Sequence, residues 1–184
     1  MPKAMIKILF VCHGNICRSP MAEFVMKKMV QDLPTTLSSG TSLTAADFEI
    51  ASAATSTEEI GNPVYPPARR MLARHGIDCS GKTARQMTAA DYAHYDYIVL
   101  MDQNNLRNLR WILPRDIYER ETATTNASAH NARESSTRKI SLLMDWAGKN
   151  RDVADPWYTG DFESTWLDVN EGCSAMLQRL IENH

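Results

Sequence analysis

The stretch Val11-Cys12-His13-Gly14-Asn15-Ile16-Cys17-Arg18-Ser19-Pro20 decides how the rest of the chain is read. An apolar run, Met5-Ile6-Lys7-Ile8-Leu9-Phe10-Val11, precedes it, and a helix-like run from Met21 to Val30 follows. The stretch therefore reads as a turn from a buried strand into a helix, the place where parallel α/β sheets hold their ligands. Backbone N–H groups of such a turn converge at the positive end of the helix and form a cradle for an anion such as phosphate. Gly14 is read as the position where the backbone needs a conformation that a side chain would obstruct, and Pro20 falls in the first helical turn, where its missing N–H costs nothing. Cys12 enters the cradle from the strand and Arg18 leaves it at the helix start. A thiol facing amides, a helix N-terminus and a guanidinium is expected to ionise well below the ordinary value of ~8.5, which makes it a nucleophile at neutral pH. Arg18 offers a planar fork for two phosphate oxygens.

A Cys followed six positions later by an Arg is a weak signal alone. The preceding strand, Gly14, Ser19 directly after the Arg and the following helix are separate requirements, and all are met. With Pro20-Met21-Ala22-Glu23, the segment Cys12 to Ser19 resembles the phosphate-binding loop of the low-molecular-weight protein tyrosine phosphatases. The resemblance implies hydrolysis of phosphotyrosine in proteins through a phosphocysteine intermediate, with inorganic phosphate as product, no metal and no organic cofactor. It makes Cys12 and Arg18 catalytic and gives His13, Gly14, Asn15, Ile16, Cys17 and Ser19 to substrate binding, with the Ser19 hydroxyl stabilising the Cys12 thiolate. It also implies that Asn15, a Ser at the end of the second strand, here Ser52, and a His matching His75 hold the loop in shape.

Val153-Ala154-Asp155-Pro156-Trp157-Tyr158-Thr159-Gly160 is the second stretch that carries chemistry. Pro156 and Gly160 predict a loop. By itself an Asp before Pro is a turn residue. Beside a Cys12 loop, and resembling the family's acid loop, Asp155 is expected to protonate the leaving phenolate and then to deprotonate the attacking water, a contribution of roughly 10²- to 10⁴-fold. Trp157 and Tyr158 are expected to wall the substrate ring.

With 184 residues the chain suits one domain, 1–184, with a sizeable core. Its 20 basic and 22 acidic residues give a net charge of -2, which argues against a nucleic-acid partner. No run of about 18 apolar residues exists and residues 1 to 11 lack a secretory h-region, so no membrane insertion and a cytoplasmic location are expected. Cys12, Cys17, Cys79 and Cys173 suggest neither a disulfide framework nor a zinc site, and a low-pKa thiol needs a reducing compartment. Cys17 shares the tight loop with Cys12, so mild oxidation is expected to join the two.

The remaining chain alternates strands with helices. Gln31 to Phe48 reads as a loop, Phe48 to Ala53 as the second strand, and residues 54–67 as a surface loop. By resemblance this loop forms a rim of the site, where Glu58 or Glu59 stands in place of an aromatic and makes the rim less welcoming to acidic peptides. Ala68 to His75 reads as a helix capped by Gly76, with Met71 and Leu72 inward. Thr88 to Asp91 opens a short helix with a capping box, and Tyr95 to Asp102 is the third strand. Asn104 to Leu113 is an amphipathic helix with Leu106, Leu109, Ile112 and Leu113 on a core face and no ligand assigned. Residues 118–137 contain almost no large apolar side chain and read as a mobile surface insertion. Lys139 to Met144 is the fourth strand, and a helix capped by Asp161 runs to Ile181 with Cys173 as a small core residue. The fold expected is α/β, a four-stranded parallel sheet flanked by helices on both faces, with the phosphate-binding loop between strand 1 and helix 1.

Two other enzymes of this fold and one non-enzyme are weighed. Arsenate reductases need further redox cysteines near Cys79, and none follows it up to Ala93. Protein arginine phosphatases typically carry Thr where this chain has Ile16, whose larger apolar side chain narrows the site toward a flat aryl group. A catalytically dead phosphotyrosine-binding module would lack Cys12 or Asp155, and both are present.

Overall fold

Strand β1 (Ile6–Cys12) is the axis of the computed structural model, which describes residues 4–34 and 43–184. It pairs in parallel with β2 (Phe48–Ala54) on one side, from Ile6↔Phe48 to Cys12↔Ala54, and with β3 (Tyr97–Leu100) on the other, ending at Val11↔Leu100. Strand β4 (Ile140–Leu142) adds in parallel beyond β3, so the order is β2-β1-β3-β4. The chain leaves β1 first toward β2 and later returns to its other side. The carboxyl end of β1 is thus the switch point of the sheet, where the loops that follow adjacent strands diverge and leave a crevice.

The helices are α1 (Arg18–Gln31), α2 (Pro66–Arg74), α3 (Ala89–His94), α4 (Gln103–Asn108), α5 (Arg115–Ala127), α6 (Ala132–Ser135), α7 (Leu143–Trp146), α8 (Pro156–Thr159) and α9 (Phe162–Glu182). Because successive strand side chains point to opposite faces, β1 feeds two cores. Ile6, Ile8 and Phe10 pack with Met26 of α1, Leu72 of α2, Trp146 of α7 and Met176 of α9. Leu9 and Val11 pack on the other face with Met87, Leu106, Leu109 and Leu113. Each such side chain contributes about 1.5–3 kcal/mol on burial, and the uninterrupted apolar run of β1 is what burial on both faces requires. The expected parallel sheet with helices on both faces is therefore present.

Several elements differ in extent from the sequence reading. The amphipathic segment after Asp102 is helical only to Asn108 and tightens into a 3₁₀ turn over Leu109–Trp111, although Leu106, Leu109 and Leu113 are buried as expected. In the loop read from Gln31 to Phe48, residues 35–42 lie outside the described residues, while Leu43 is buried and Ala45–Asp47 form a capped 3₁₀ turn.

The larger difference concerns residues 118–137, read as a mobile surface insertion, most of which lie in helices α5 and α6. Ile117 and Tyr118 pack against the second core, and Tyr92 donates to Glu121 at 2.6 Å. The rest is fastened by polar groups. Thr125 donates to the Ile140 carbonyl at 3.2 Å, and His130 Nδ1 lies 2.6 Å from the buried Asp145. The buried Arg138 donates to the carbonyls of Thr125 and Glu134 and to the Ser135 hydroxyl. The sequence reading weighed apolar burial alone, whereas satisfied buried hydrogen bonds order this segment.

Candidate active site

Cys12 closes β1, is buried, and carries its Sγ 3.0 Å from the Ser19 hydroxyl; the Asn15 backbone N–H donates to the same sulfur at 3.3 Å. The turn is made by Asn15, whose φ of 59° is left-handed, a conformation Asn tolerates better than most residues. Gly14, expected to hold the special backbone conformation, does not have a positive φ. Its missing side chain serves a close approach instead, since a Cβ there would lie 3.3 Å from Glu59 Cγ. The twist at Asn15 turns its amide to the back of the loop, where Nδ2 donates to Ser19 Oγ at 2.8 Å and to Ser52 Oγ at 2.9 Å, and Oδ1 accepts from the Arg85 N–H at 3.2 Å. Helix α1 begins at Arg18 with no side-chain cap and no acid in its first turn. Its terminal N–H groups and dipole are thus directed at the loop.

Arg18 is 2% exposed. Its Nη1 donates to Asp102 Oδ2 at 2.6 Å and to the Val153 carbonyl at 3.2 Å, and its Nη2 donates to Asp155 Oδ2 at 3.1 Å. Burial works against the charge, but the Cys12 sulfur and the two carboxylates outweigh it and hold the guanidinium above its ordinary range. Asp155 divides its carboxylate, with Oδ1 capping α8 through the Trp157 N–H at 3.1 Å and Oδ2 on Arg18. Asp102 does the same on the other side, its Oδ1 accepting the Asn105 N–H at 2.7 Å. The sequence reading gave Asp102 no role. Its place directly after β3, facing the switch point from the strand next to Cys12, is the signal that could have found it.

These groups line a cleft of about 490 Å³. Of the residues expected there, Cys12, His13, Gly14, Ile16, Cys17, Arg18, Asp155, Trp157 and Tyr158 do line it. Asn15 and Ser19, expected to bind substrate, are 1% and 0% exposed behind the loop, where they brace it rather than face the cleft. Glu58 and Glu59 both reach the rim, and Glu58 lies 3.0 Å from His13 Nε2. Trp157 and Tyr158 are exposed, and Trp157 packs on Tyr65 at 5.1 Å between ring centroids. Asn104, Asn105 and Asn108, on an element assigned no ligand, complete the lining. His75 does not reach the loop; it stacks on Trp166 of α9 at 3.8 Å, because α2 ends at Arg74 and leaves the imidazole over that helix. All four cysteines are free, and burial, with Cys12 and Asp155 nearby, pushes the Cys17 thiol up. Among the described residues no group of three or more His, Cys, Asp or Glu is placed to hold a metal ion.

Residues 7–123 match the family model described as low molecular weight phosphotyrosine protein phosphatase. Over 175 residues the chain is 35% identical to the low molecular weight phosphotyrosine protein phosphatase of Mus musculus, with 94% of each covered. The chain belongs to the low molecular weight phosphotyrosine protein phosphatase family. Among solved structures, this family member resembles YfkJ from Bacillus subtilis with a TM-score of 0.77 at 30% identity, covering 100% of this chain and 99% of that one. It resembles the drosophila arginine phosphatase with a TM-score of 0.69 at 27% identity, covering 95% and 98%. The span matched by the family model contains the phosphatase loop and Asp102 but ends before Asp155.

Proposed function

We propose that this family member hydrolyses phosphotyrosine in proteins in two steps, with Cys12, Arg18 and Asp155 in the catalytic roles. The observation that carries the reading is the convergence of the Cys12 sulfur, the uncapped N-terminus of α1, the Arg18 guanidinium and the Asp155 carboxyl in one cleft. In the first step the Cys12 thiolate attacks phosphorus, the bond from phosphorus to the phenolic oxygen breaks, and Asp155 gives that oxygen its proton. In the second, Asp155 takes a proton from water, the water oxygen attacks phosphorus, the sulfur–phosphorus bond breaks, and inorganic phosphate leaves the regenerated thiolate. The loop amides and Arg18 bear the charge on the three non-bridging oxygens, the part of phosphoryl transfer where positioned charge supplies most of the rate. A phosphate in the loop competes with Asp155 for Arg18 and so turns the carboxyl toward the leaving oxygen.

His13, Gly14, Ile16 and Cys17 supply the wall of the loop, and Trp157 and Tyr158 flank the ring. Residues 1–184 act as one catalytic unit, and a nucleophilic thiol suits the reducing cytoplasm. Among the described residues no helix is long and apolar enough to cross a membrane. The similarity to the drosophila arginine phosphatase makes phosphoarginine the competing substrate. Ile16 supports the aryl reading, because its apolar side chain lines the cleft and is held there by packing with Ala84 and Tyr65.

The test is hydrolysis of an aryl phosphate by wild type, Cys12→Ser and Asp155→Asn in EDTA and reductant, with phosphotyrosine and phosphoarginine peptides alongside. Wild type is expected to be active without metal and to prefer phosphotyrosine, with Cys12→Ser inert. Full activity in Cys12→Ser, or a strong preference for phosphoarginine, overturns the reading.

A further inference from the structure

The polar row that closes one side of the cleft does not stop at the cleft's edge. Asn104 and Asn108 stand one helical turn apart on α4, and both line the cleft. The chain then tightens into the 3₁₀ turn Leu109–Trp111, and in such a turn residues three apart eclipse one another. Trp111 therefore follows Asn108 on the same face, about 6 Å farther along the axis at a rise of about 2 Å per residue. The other face is anchored, since Leu106, Leu109 and Leu113 are buried in the second core.

Trp111 is 75% exposed, which is unusual for a side chain of its size. A single exposed apolar side chain is ordinary on a protein surface. Trp111 differs because it continues a row that begins inside the cleft, and because it carries a charge with it. The Arg110 guanidinium lies 4.8 Å from the centroid of the Trp111 ring and forms no ion pair among the described residues. Another part of the rim has the opposite charge, where Glu58 lies against His13 and Glu59 accepts from Asn62. A carboxylate on a bound peptide is repelled by that acidic part and drawn to Arg110.

We propose that Trp111 and Arg110 form a docking surface for the substrate chain outside the cleft: with the phosphotyrosine in the cleft, the Trp111 ring takes an apolar side chain of the same chain a few residues away, and Arg110 pairs with a carboxylate next to it. The inference deepens the phosphotyrosine reading and rests on it. An extended peptide advances about 3.3 Å per residue, so Trp111 meets the substrate about two residues beyond the point where the chain passes Asn108. A small aryl phosphate ends inside the cleft and never reaches the ring. Rigid aromatic side chains of this kind are the usual anchors of a recognition surface, and here the backbone that carries the ring is fixed by three buried leucines.

The test compares wild type, Trp111→Ala, Trp111→Phe, Arg110→Gln and Leu167→Ala, the last removing an exposed apolar side chain of α9. Each is assayed on a small aryl phosphate and on phosphotyrosine peptides of Gly and Ser that carry one Leu at successive positions on either side of the phosphotyrosine. In wild type, Leu at one position or two neighbouring ones is expected to raise kcat/KM roughly tenfold, mainly through KM. The gain should vanish in Trp111→Ala and survive in Trp111→Phe and Leu167→Ala, while kcat and KM on the aryl phosphate stay as in wild type throughout. Glu beside that Leu should add a few-fold, and Arg110→Gln should lose that addition. A Leu gain of equal size in wild type and Trp111→Ala, or no gain at any position, overturns the proposal. An equal fall of Trp111→Ala on the aryl phosphate also overturns it, by making the ring part of the site's scaffold. Hydrolysis of the aryl phosphate with none of any phosphotyrosine peptide would instead overturn the functional reading, and the proposal with it.

Discussion

At the scale of single residues, Arg18 ties two loops together, because one guanidinium holds both Asp102 and Asp155. Asp102→Asn keeps the shape but removes the charge that orients Nη1. A hydrogen bond to a charged group is worth about 1.5–3 kcal/mol, so kcat/KM for an aryl phosphate is expected to fall roughly 10- to 100-fold; an unchanged value would separate Asp102 from the clamp. Asp155→Asn is expected to cost about 10²- to 10⁴-fold on phosphotyrosine peptide and much less on an ester whose phenol is acidic enough to leave unaided. An equal loss on both would remove Asp155 from leaving-group protonation. Cys17 lines the same cleft as Cys12 and is the expected partner for a Cys12 sulfenic acid, in a condensation slowed by the burial that pushes the Cys17 thiol up. Limited peroxide should first convert Cys12 to the sulfenic acid, which then condenses with the Cys17 thiol and releases water. Peptide mapping should find the two linked and reductant should restore activity, whereas an oxidised Cys12 beside a free Cys17 sinks this expectation. That Cys12, Arg18 and Asp155 belong to one cleft was legible because each lies in a short stretch with its own local logic. Asp102 was not, because the fold brings it to Arg18 across 84 positions, and only tertiary packing shows that His75 stacks on Trp166 away from the loop.

At the scale of elements, the strands, the capping box at Thr88–Asp91 and the long α9 capped by Asp161 followed from periodicity and cap chemistry. Helices α5 and α6 did not, because their anchors are buried polar contacts that no apolar pattern reports. Arg138 gathers three of them. Arg138→Ala should therefore speed amide exchange and proteolytic nicking between residues 115 and 137 while kcat changes little; unchanged protection there would mean that Ile117 and Tyr118 hold the segment alone. Elsewhere α9 approaches α7 at Gly172, where an added Cβ would meet the Leu143 side chain at 2.5 Å. Overpacking of this kind costs typically ~1–3 kcal/mol, so Gly172→Ala is expected to lower the melting temperature by several degrees. A melting temperature at or above that of wild type would show that Leu143 yields freely.

At the scale of the whole molecule, the sheet order puts the ends of β1 and β3 side by side, and the chemistry follows from that adjacency. Phosphate loop, clamp and brace all converge on the carboxyl end of one strand buried on both faces. The same architecture responds to acid through carboxylates held away from their ordinary range. Burial pushes the Asp91 carboxyl up, but hydrogen bonds from Arg85 and from Thr88 outweigh it and leave it lowered. A lowered folded-state pKa contributes stability that is complete above the unfolded value of ~3.9 and is lost as the pH falls through the folded value. The melting temperature should thus fall on acidification below about pH 4, and Asp91→Asn should start lower at neutral pH and lose less; an identical acid profile in that variant would remove Asp91 from the balance. The central claim is that the phosphoryl group passes through the Cys12 sulfur, and rapid acid quench of the enzyme mixed with phosphotyrosine peptide, followed by mass mapping, tests it most directly. One phosphoryl group on the Cys12 peptide, absent from Cys12→Ser, is the predicted result, and full turnover with no phosphoryl group on Cys12, or with it on His13, would contradict the account.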